Sequence, residues 1–414
     1  MASRTVAVVG GGIVGLCVAE SLARRGAEVV LVEADRIGGG ASMGNAGWVS
    51  PGISVPLPAP GLTAQALRWM LDPGSPLYVR PSFRPSYLHF LWDFRRSTNH
   101  RRYFAGTAAL TALSKRVIDD YDALAARCGF EMHQDGLLCV GHGEGAIAAE
   151  LGVFRDQQAH GYVGRVEVLD REQALAREPN LGPEVAGAIL AADERHVRPE
   201  SVVRGLVSRL RAMRITLYEA NPVHRLMPRG GGWALECGDG VLEAESVVVA
   251  AGSTSARLLA TLDVRLPLQG AKGYSLTRDE PAVRLRGPVY LLEAKVAVSP
   301  YRRSLRAAGT LELGSASGAI SQNRVEAIER ALARSLPGTA SGPWRSWAGF
   351  RPLLPDGLPA IGPVPGRPGL HVATGHAMLG VTQAPTTGEL LAPVVLGEPA
   401  APELAPFSIG RFGR

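Results

Sequence analysis

The stretch Val6-Ala7-Val8-Val9-Gly10-Gly11-Gly12-Ile13-Val14-Gly15 decides how the rest of the chain is read. Small and β-branched residues predict a buried parallel strand, which breaks into glycines spaced G-x-G-x-x-G at Gly10, Gly12 and Gly15. A helical pattern follows through Leu16, Val18, Ala19 and Leu22 to Gly26, a C-terminal cap. The glycines serve a tight turn, close approach of backbone to a pyrophosphate, and close packing of helix on strand. The helix N-terminus, at Ile13 and Val14, offers N–H groups and a positive dipole end to phosphate. A second strand, Glu28 to Val32, delivers Glu33 eighteen residues after Gly15, with Ala34 beside it. A carboxylate there accepts from both ribose hydroxyls and repels a 2′-phosphate. Strand, glycines, helix, strand and acid in this register predict dinucleotide binding.

Working outward, 414 residues are long for one domain, so two are expected. A hydrophobic content of 46% with 20% charged residues is that of a soluble globular protein. The excess of 44 Lys+Arg over 38 Asp+Glu is mild and forms no arginine-rich tract, so no nucleic-acid partner is expected. Cys17, Cys128, Cys139 and Cys237 form no C-x-x-C pair, which argues against a disulfide framework or a zinc site and fits a reducing cytoplasm. No metal is expected. No apolar run is long enough to span a bilayer, so membrane contact, if any, is peripheral.

Beyond Glu33, a glycine-rich loop from Arg36 to Gly52 contains Ser42 and Asn45-Ala46-Gly47, small residues suited to backbone lying on a flat ligand. A proline-rich segment to about Pro85 predicts an irregular packed loop, and Tyr87–Phe94 a short helix. One amphipathic helix is expected from Thr107 to Arg127, with Leu110, Leu113, Val117, Tyr121 and Leu124 inward. Asp170-x-x-Gln173 is a capping box, and Pro199 opens another helix. Val241–Ala251 reads as one strand that returns to the first sheet and ends at Ala251-Gly252. Strands follow at Lys272–Leu276 and Val296–Tyr301, and a helix at Asn323–Leu336.

A second informative region begins at Trp347-Ala348-Gly349-Phe350-Arg351-Pro352. It continues through a strand, Leu370–Ala373, into Thr374-Gly375-His376-Ala377-Met378-Leu379-Gly380-Val381-Thr382 and a helix expected to end or kink near Leu391, before Pro393. Small residues running into a helix make another dipole-binding turn. Two such turns at opposite ends of the chain suit a long cofactor with two polar ends, and FAD fits: its pyrophosphate and its pyrimidine edge both need donors.

The chain resembles the FAD-dependent amino-acid oxidoreductases of the D-amino acid oxidase and glycine oxidase superfamily, most of all the bacterial D-amino acid dehydrogenase branch. The resemblance rests on the N-terminal fingerprint, Gly44–Gly52, Ala59-Pro60-Gly61, Lys272–Leu276, Arg351-Pro352 through Pro355-Asp356-Gly357, and Thr374-Gly375-His376 with Leu379-Gly380. It implies an α/β, doubly wound FAD-binding domain interleaved with an α+β substrate domain on a mixed sheet. The expected division is 1–88, 191–265 and 345–414 for the first and 89–190 and 266–344 for the second.

The implied chemistry is hydride transfer from Cα to flavin N5, giving an imino acid and then a keto acid. The substrate is a D-amino acid or, alternatively, a secondary amine or glycine-type compound. Arg351 falls on a position associated with clamping the substrate carboxylate. A second clamp falls near Tyr301 or Arg302, with the register off by a residue or two. Tyr274 is read either as a pocket residue or as a strand tyrosine packed on the core, and His376 as a flavin-edge residue or a backbone-held loop histidine. Asn45, Ala46 and Gly47 are expected to line the flavin, and Val223 to contact adenine. Some relatives attach flavin through a cysteine near the C-terminus; none follows Cys237 here, so FAD is expected to be non-covalent. Oxygen, a quinone or a carrier protein is the expected electron acceptor, and the expected location is cytoplasmic, with any membrane contact peripheral to the inner membrane face.

Overall fold

The computed structural model describes residues 4–62, 66, 69, 75–315, 317–339 and 342–413. The opening motif forms a strand, β1 (Thr5–Val9), a helix, α1 (Ile13–Arg24), and a second strand, β2 (Glu28–Val32). Gly26 closes α1 at a φ of +85°. β1 and β2 pair in parallel, Val6 opposite Val29. The six-stranded sheet around them runs Thr216–Tyr218, β2, β1, Ser246–Val249, Leu370–Thr374, Ala360–Pro363, and only the last strand is antiparallel. On one face α1, the Pro199–Ala212 helix and the C-terminal Gly380–Val395 helix share a core of Leu16, Val18, Leu22, Leu206, Ala384 and Leu391.

A nine-stranded mixed sheet forms the second layer. Its long strands are Gln269–Asp279, flanked by Ser304–Leu313 and Arg345–Leu353. The helix Gln322–Ser335 packs Val325, Ile328 and Leu332 against Tyr274 and Leu276. The chain enters this sheet from Leu77–Val79 and leaves it through Arg345–Leu353. Both strands fall inside segments that the expected division, 1–88 and 345–414, gives to the cofactor layer.

The capping box at Asp170–Gln173 is present, and Pro199 opens its helix. Other expectations need correction. The predicted Thr107–Arg127 helix is two, His100–Ser114 and Val117–Cys128, which share one buried stripe. The first begins early because the Asn99 side chain accepts from Arg102 N. The apolar run Val241–Ala251 conceals a change of sheet: Gly240–Ala244 belongs to a hairpin with Gly232–Cys237, whereas Ser246–Val249 pairs with β1.

The C-terminal helix does not stop near Leu391 but runs on to Val395 with Pro385 and Pro393 inside it. A proline removes the N–H that would serve the carbonyl four residues back. Here both freed carbonyls have a side-chain donor: Tyr121 Oη donates to Val381 O at 2.5 Å, and Arg25 Nη2 to Glu389 O at 3.5 Å. The proline-rich segment predicted as an irregular loop lies partly outside the described residues.

Candidate active site

The first glycine turn is built on contact. Gly10 has φ +114°, and a Cβ there would lie 2.4 Å from Ala250 O. A Cβ on Gly15 would meet Gly10 O at 2.0 Å, so Gly15 serves helix–strand packing and not the ligand. Gly12 faces open space apart from Ser42 Oγ, which accepts from Ile13 N at 3.1 Å. The Glu33 carboxylate accepts from Gly11 N at 2.7 Å and from Asp35 N at 3.0 Å, fixing it beside the turn.

Residues of the second glycine turn line the same cavity, which measures about 670 Å³. Gly10, Gly12, Ile13, Val14, Glu33, Ala34 and Ser42 are in its wall. Asn45 and Val223, with Ala251 and Gly252, form further wall. Arg351, His376, Gly380 and Val381 line it too, under a roof of Trp347, Gly349 and Phe350. A single space of this size, lined by both glycine turns, suits a large cofactor.

Arg351 is buried, yet its Nη1 has no hydrogen-bond partner. Its guanidinium crosses the backbone of the neighbouring strand at Gly273, where a Cβ would fall 0.9 Å from Nη1. Burial lowers its pKa to about 10. A buried cation without a partner is costly, and an anionic ligand would relieve the cost. His376 is also buried; Nε2 lies 3.1 Å from Thr387 Oγ1, and desolvation lowers its pKa to about 3, so the ring is neutral. The loop carrying it is tied to the Arg351 strand, since Ala377 N donates to Pro352 O at 2.8 Å. Ala377 itself sits in the cavity wall at φ +49°, a left-handed conformation that costs a non-glycine residue on the order of 1 kcal/mol.

Several expected site residues lie elsewhere. Tyr274 points into the core behind the sheet and donates to Glu312 at 2.6 Å. Tyr301 donates to Ala46 O at 2.7 Å and so supports the glycine-rich loop from outside the cavity. Arg302 N donates to Glu131 at 2.7 Å, and its side chain faces a different surface hollow. Ala46 and Gly47 turn from the cavity; a Cβ on Gly47 would meet Val197 O at 1.9 Å. Gly375 abuts Leu354, Leu379 stands at the N-cap of the C-terminal helix, and Thr382 Oγ1 donates to Trp48 O at 2.8 Å. None of these three is in the cavity wall.

Sequence reasoning missed Arg306. Its Nη1 donates to Met43 O at 2.9 Å and Asn45 O at 3.0 Å, its Nε donates to Thr277 Oγ1 at 3.0 Å, and Nη2 pairs with Glu200. It also missed Trp347, whose ring packs where a side chain on Gly44 would stand. Arg306 carries no local signal; Trp347 lay inside the quoted stretch, flanked by small residues.

Fold and cavity together define the class of dinucleotide-binding folds, with strands of a second sheet lining the cavity. Comparison with known proteins narrows this. The family model described as FAD dependent oxidoreductase (DAO) matches residues 5–393. A D-amino acid dehydrogenase of Cereibacter sphaeroides is 32% identical over 98% of this chain and 95% of its own. A D-amino-acid oxidase of Bradyrhizobium diazoefficiens is 30% identical over 99% of both. The crystal structure of glycine oxidase from Geobacillus kaustophilus superposes with a TM-score of 0.77 at 25% identity, covering 99% of both chains. The chain belongs to the DAO family of FAD-dependent oxidoreductases.

Proposed function

We propose that the chain oxidises an α-amino acid, a D-amino acid first of all, using non-covalently held FAD. The observation that carries this reading is the Arg351 guanidinium: buried, unpartnered at Nη1, and in the wall of the cavity that the Gly10–Gly12 turn also lines. The names of the 30–32% identical relatives support the substrate class. Gly10, Gly12 and the N-terminus of α1 would hold the pyrophosphate, Glu33 the ribose, and the N-terminus of the Gly380–Val395 helix the pyrimidine edge. None of the four cysteines lines the cavity, which favours non-covalent attachment. Bound there, FAD would supply the acceptor for the Cα hydrogen and its electron pair.

The chain's own part is binding and orientation. Arg351 takes the substrate carboxylate and so sets where Cα and its hydrogen stand. Trp347 and Phe350 line the site and would help to exclude water once the ligands are bound. The cavity wall holds Glu33, His224, Arg257, Arg351 and His376 as its ionisable side chains, and His376 stays neutral. Oxidation needs the amine as its free base: its lone pair closes the C=N bond as the Cα–H bond breaks, and the acidic proton left on nitrogen passes to water. Water then hydrolyses the imine to keto acid and ammonia.

The test is anaerobic bleaching of the yellow holoenzyme by D-, L- and N-methyl amino acids. Bleaching by D-amino acids is expected. Bleaching by sarcosine, glycine or proline derivatives alone would move the assignment to secondary amines. No bleaching by any amine removes the reading.

For the acceptor, the surface favours a membrane quinone over oxygen. On the Pro85–Ser97 helix, Leu88 and Trp92 are exposed in line with Arg84, Arg95 and Arg96, and Phe83 beside them is 93% exposed. Aromatic and aliphatic tips among arginines suit an anionic lipid surface. No helix among the described residues is long and apolar enough to cross a membrane. The enzyme would thus act peripherally at the cytoplasmic face. Co-sedimentation with anionic vesicles, lost in Trp92→Glu, is expected; faster re-oxidation by oxygen than by a quinone analogue overturns it.

A further inference from the structure

Away from the cavity, Met132–His133 and Trp48–Val49 flank Arg195–Val197 in a three-stranded sheet. His133 stands opposite His196, and their rings stack with centroids 4.6 Å apart and 12° between planes. Their contacts decide which nitrogens are free. His196 Nε2 lies 2.8 Å from the Pro300 carbonyl oxygen, which only accepts, so that nitrogen carries the hydrogen. His133 Nε2 lies 2.9 Å from a Glu131 carboxylate oxygen, with the same consequence. Each ring is held at Nε2 and keeps an Nδ1 lone pair. His196 is fully buried, and its Nδ1 has no hydrogen-bond partner. Leaving such an acceptor unsatisfied costs about 1–3 kcal/mol.

A cation could serve as that partner. His133, Asp135 and His196 each bring one ligand atom to within 4.8 Å of the others. Ligands at about 2.0–2.1 Å from a tetrahedral zinc stand roughly 3.4 Å apart, and each imidazole bonds in its own ring plane, so closing on an ion needs more than about an ångström of approach and rotation of the two rings out of their parallel stack. We infer that His133, Asp135 and His196 form a binding site for a borderline transition-metal dication, zinc first, with Glu131 and the Pro300 carbonyl orienting the two imidazoles. Histidines that ligate metals are commonly held in this way through the other ring nitrogen. Three protein ligands leave a fourth position for water. The expectation of no metal rested on cysteine spacing, and this site uses none.

None of the three ligands lines the cofactor cavity. The role is a brace. His196 pairs with Trp48, at the end of the Gly44–Gly47 loop, and its ring stands 6.1 Å from Tyr301, whose hydroxyl holds Ala46 O. An ion here ties the strand behind the cofactor loop to its neighbour.

The test takes the full-length flavin-loaded protein, strips it with a chelator and titrates it with zinc chloride by calorimetry. Saturable binding of one zinc per chain is expected, with a raised Tm and an unchanged flavin spectrum. Asp135→Asn and Glu131→Gln should each weaken binding at least tenfold, the second without removing a ligand. Both side chains are partly exposed, so these variants test the site without emptying the core. The absence of saturable binding overturns the inference. So does equal affinity in the His133→Gln/Asp135→Asn double variant, which would mark the zinc as adventitious.

Discussion

Arg351 and Arg306 stand on the two strands that flank Gln269–Asp279, Arg351 opposite Ala271 and Arg306 opposite Thr277. Both are buried. Arg306 donates to two loop carbonyls and a threonine and pairs with Glu200, while Arg351 keeps Nη1 without a partner. Equal burial thus hides two jobs. A guanidinium with its donors engaged within the protein fixes the backbone that faces the cofactor; one with a donor left over is ready for a ligand. Hydrogen-bond accounting, and not burial or charge, separates scaffold from site.

The contrast can be broken by substitution. Arg351→Met should lower kcat/KM by about 2–5 kcal/mol, with FAD content and the flavin spectrum nearly unchanged. Comparable loss of FAD would make Arg351 a second Arg306. Arg306→Met should show the reverse pattern: it strands Met43 O and Asn45 O, costing about 1–3 kcal/mol of stability, and lowers FAD retention on gel filtration more than it raises substrate KM.

A third buried charge lies between these extremes. Glu194 accepts from Gly52 N and Tyr162 Oη on one oxygen. Burial raises its pKa from 4.5 to about 7. A carboxyl raised in this way gives full stability below the unfolded value, loses it as pH climbs from about 4.5 towards 7, and is level beyond. Glu194→Gln keeps the accepting oxygen and removes the buried charge. It should raise stability by up to roughly 3 kcal/mol at pH 8 and leave it unchanged at pH 4, read by urea melts. A loss at both pH values would give Glu194 a full structural role. The smallest effect belongs to Arg351 again: with its pKa near 10, substrate KM should rise above pH 10 while kcat holds.

Much of this was legible in the sequence. The strand–glycine–helix–strand unit and Glu33 follow from local spacing, because the turn, cap and acid act within about thirty residues. Arg351 and His376 were readable through resemblance, and the structure brings them to one cavity. What stayed hidden is what distant residues decide. The C-terminal helix survives two prolines because Tyr121 and Arg25, from other helices, serve the freed carbonyls. Tyr274 and Arg351 lie on adjacent strands, and no local pattern told which face either side chain takes. Tyr301 and Arg302 were open for a related reason: the strand ends at Tyr301, which turns inward onto Ala46, and Arg302 stands in the exposed turn that follows.

The path of the chain between the two sheets has a practical consequence. The six-stranded sheet collects its strands from residues 5–32, 216–249 and 360–374, and the nine-stranded sheet takes up chain between those stretches. No single cut releases either layer as a continuous piece. Grafting the selectivity of one relative onto another would therefore take at least two exchanged blocks with four junctions, and a one-crossover hybrid would join halves of two mismatched roofs.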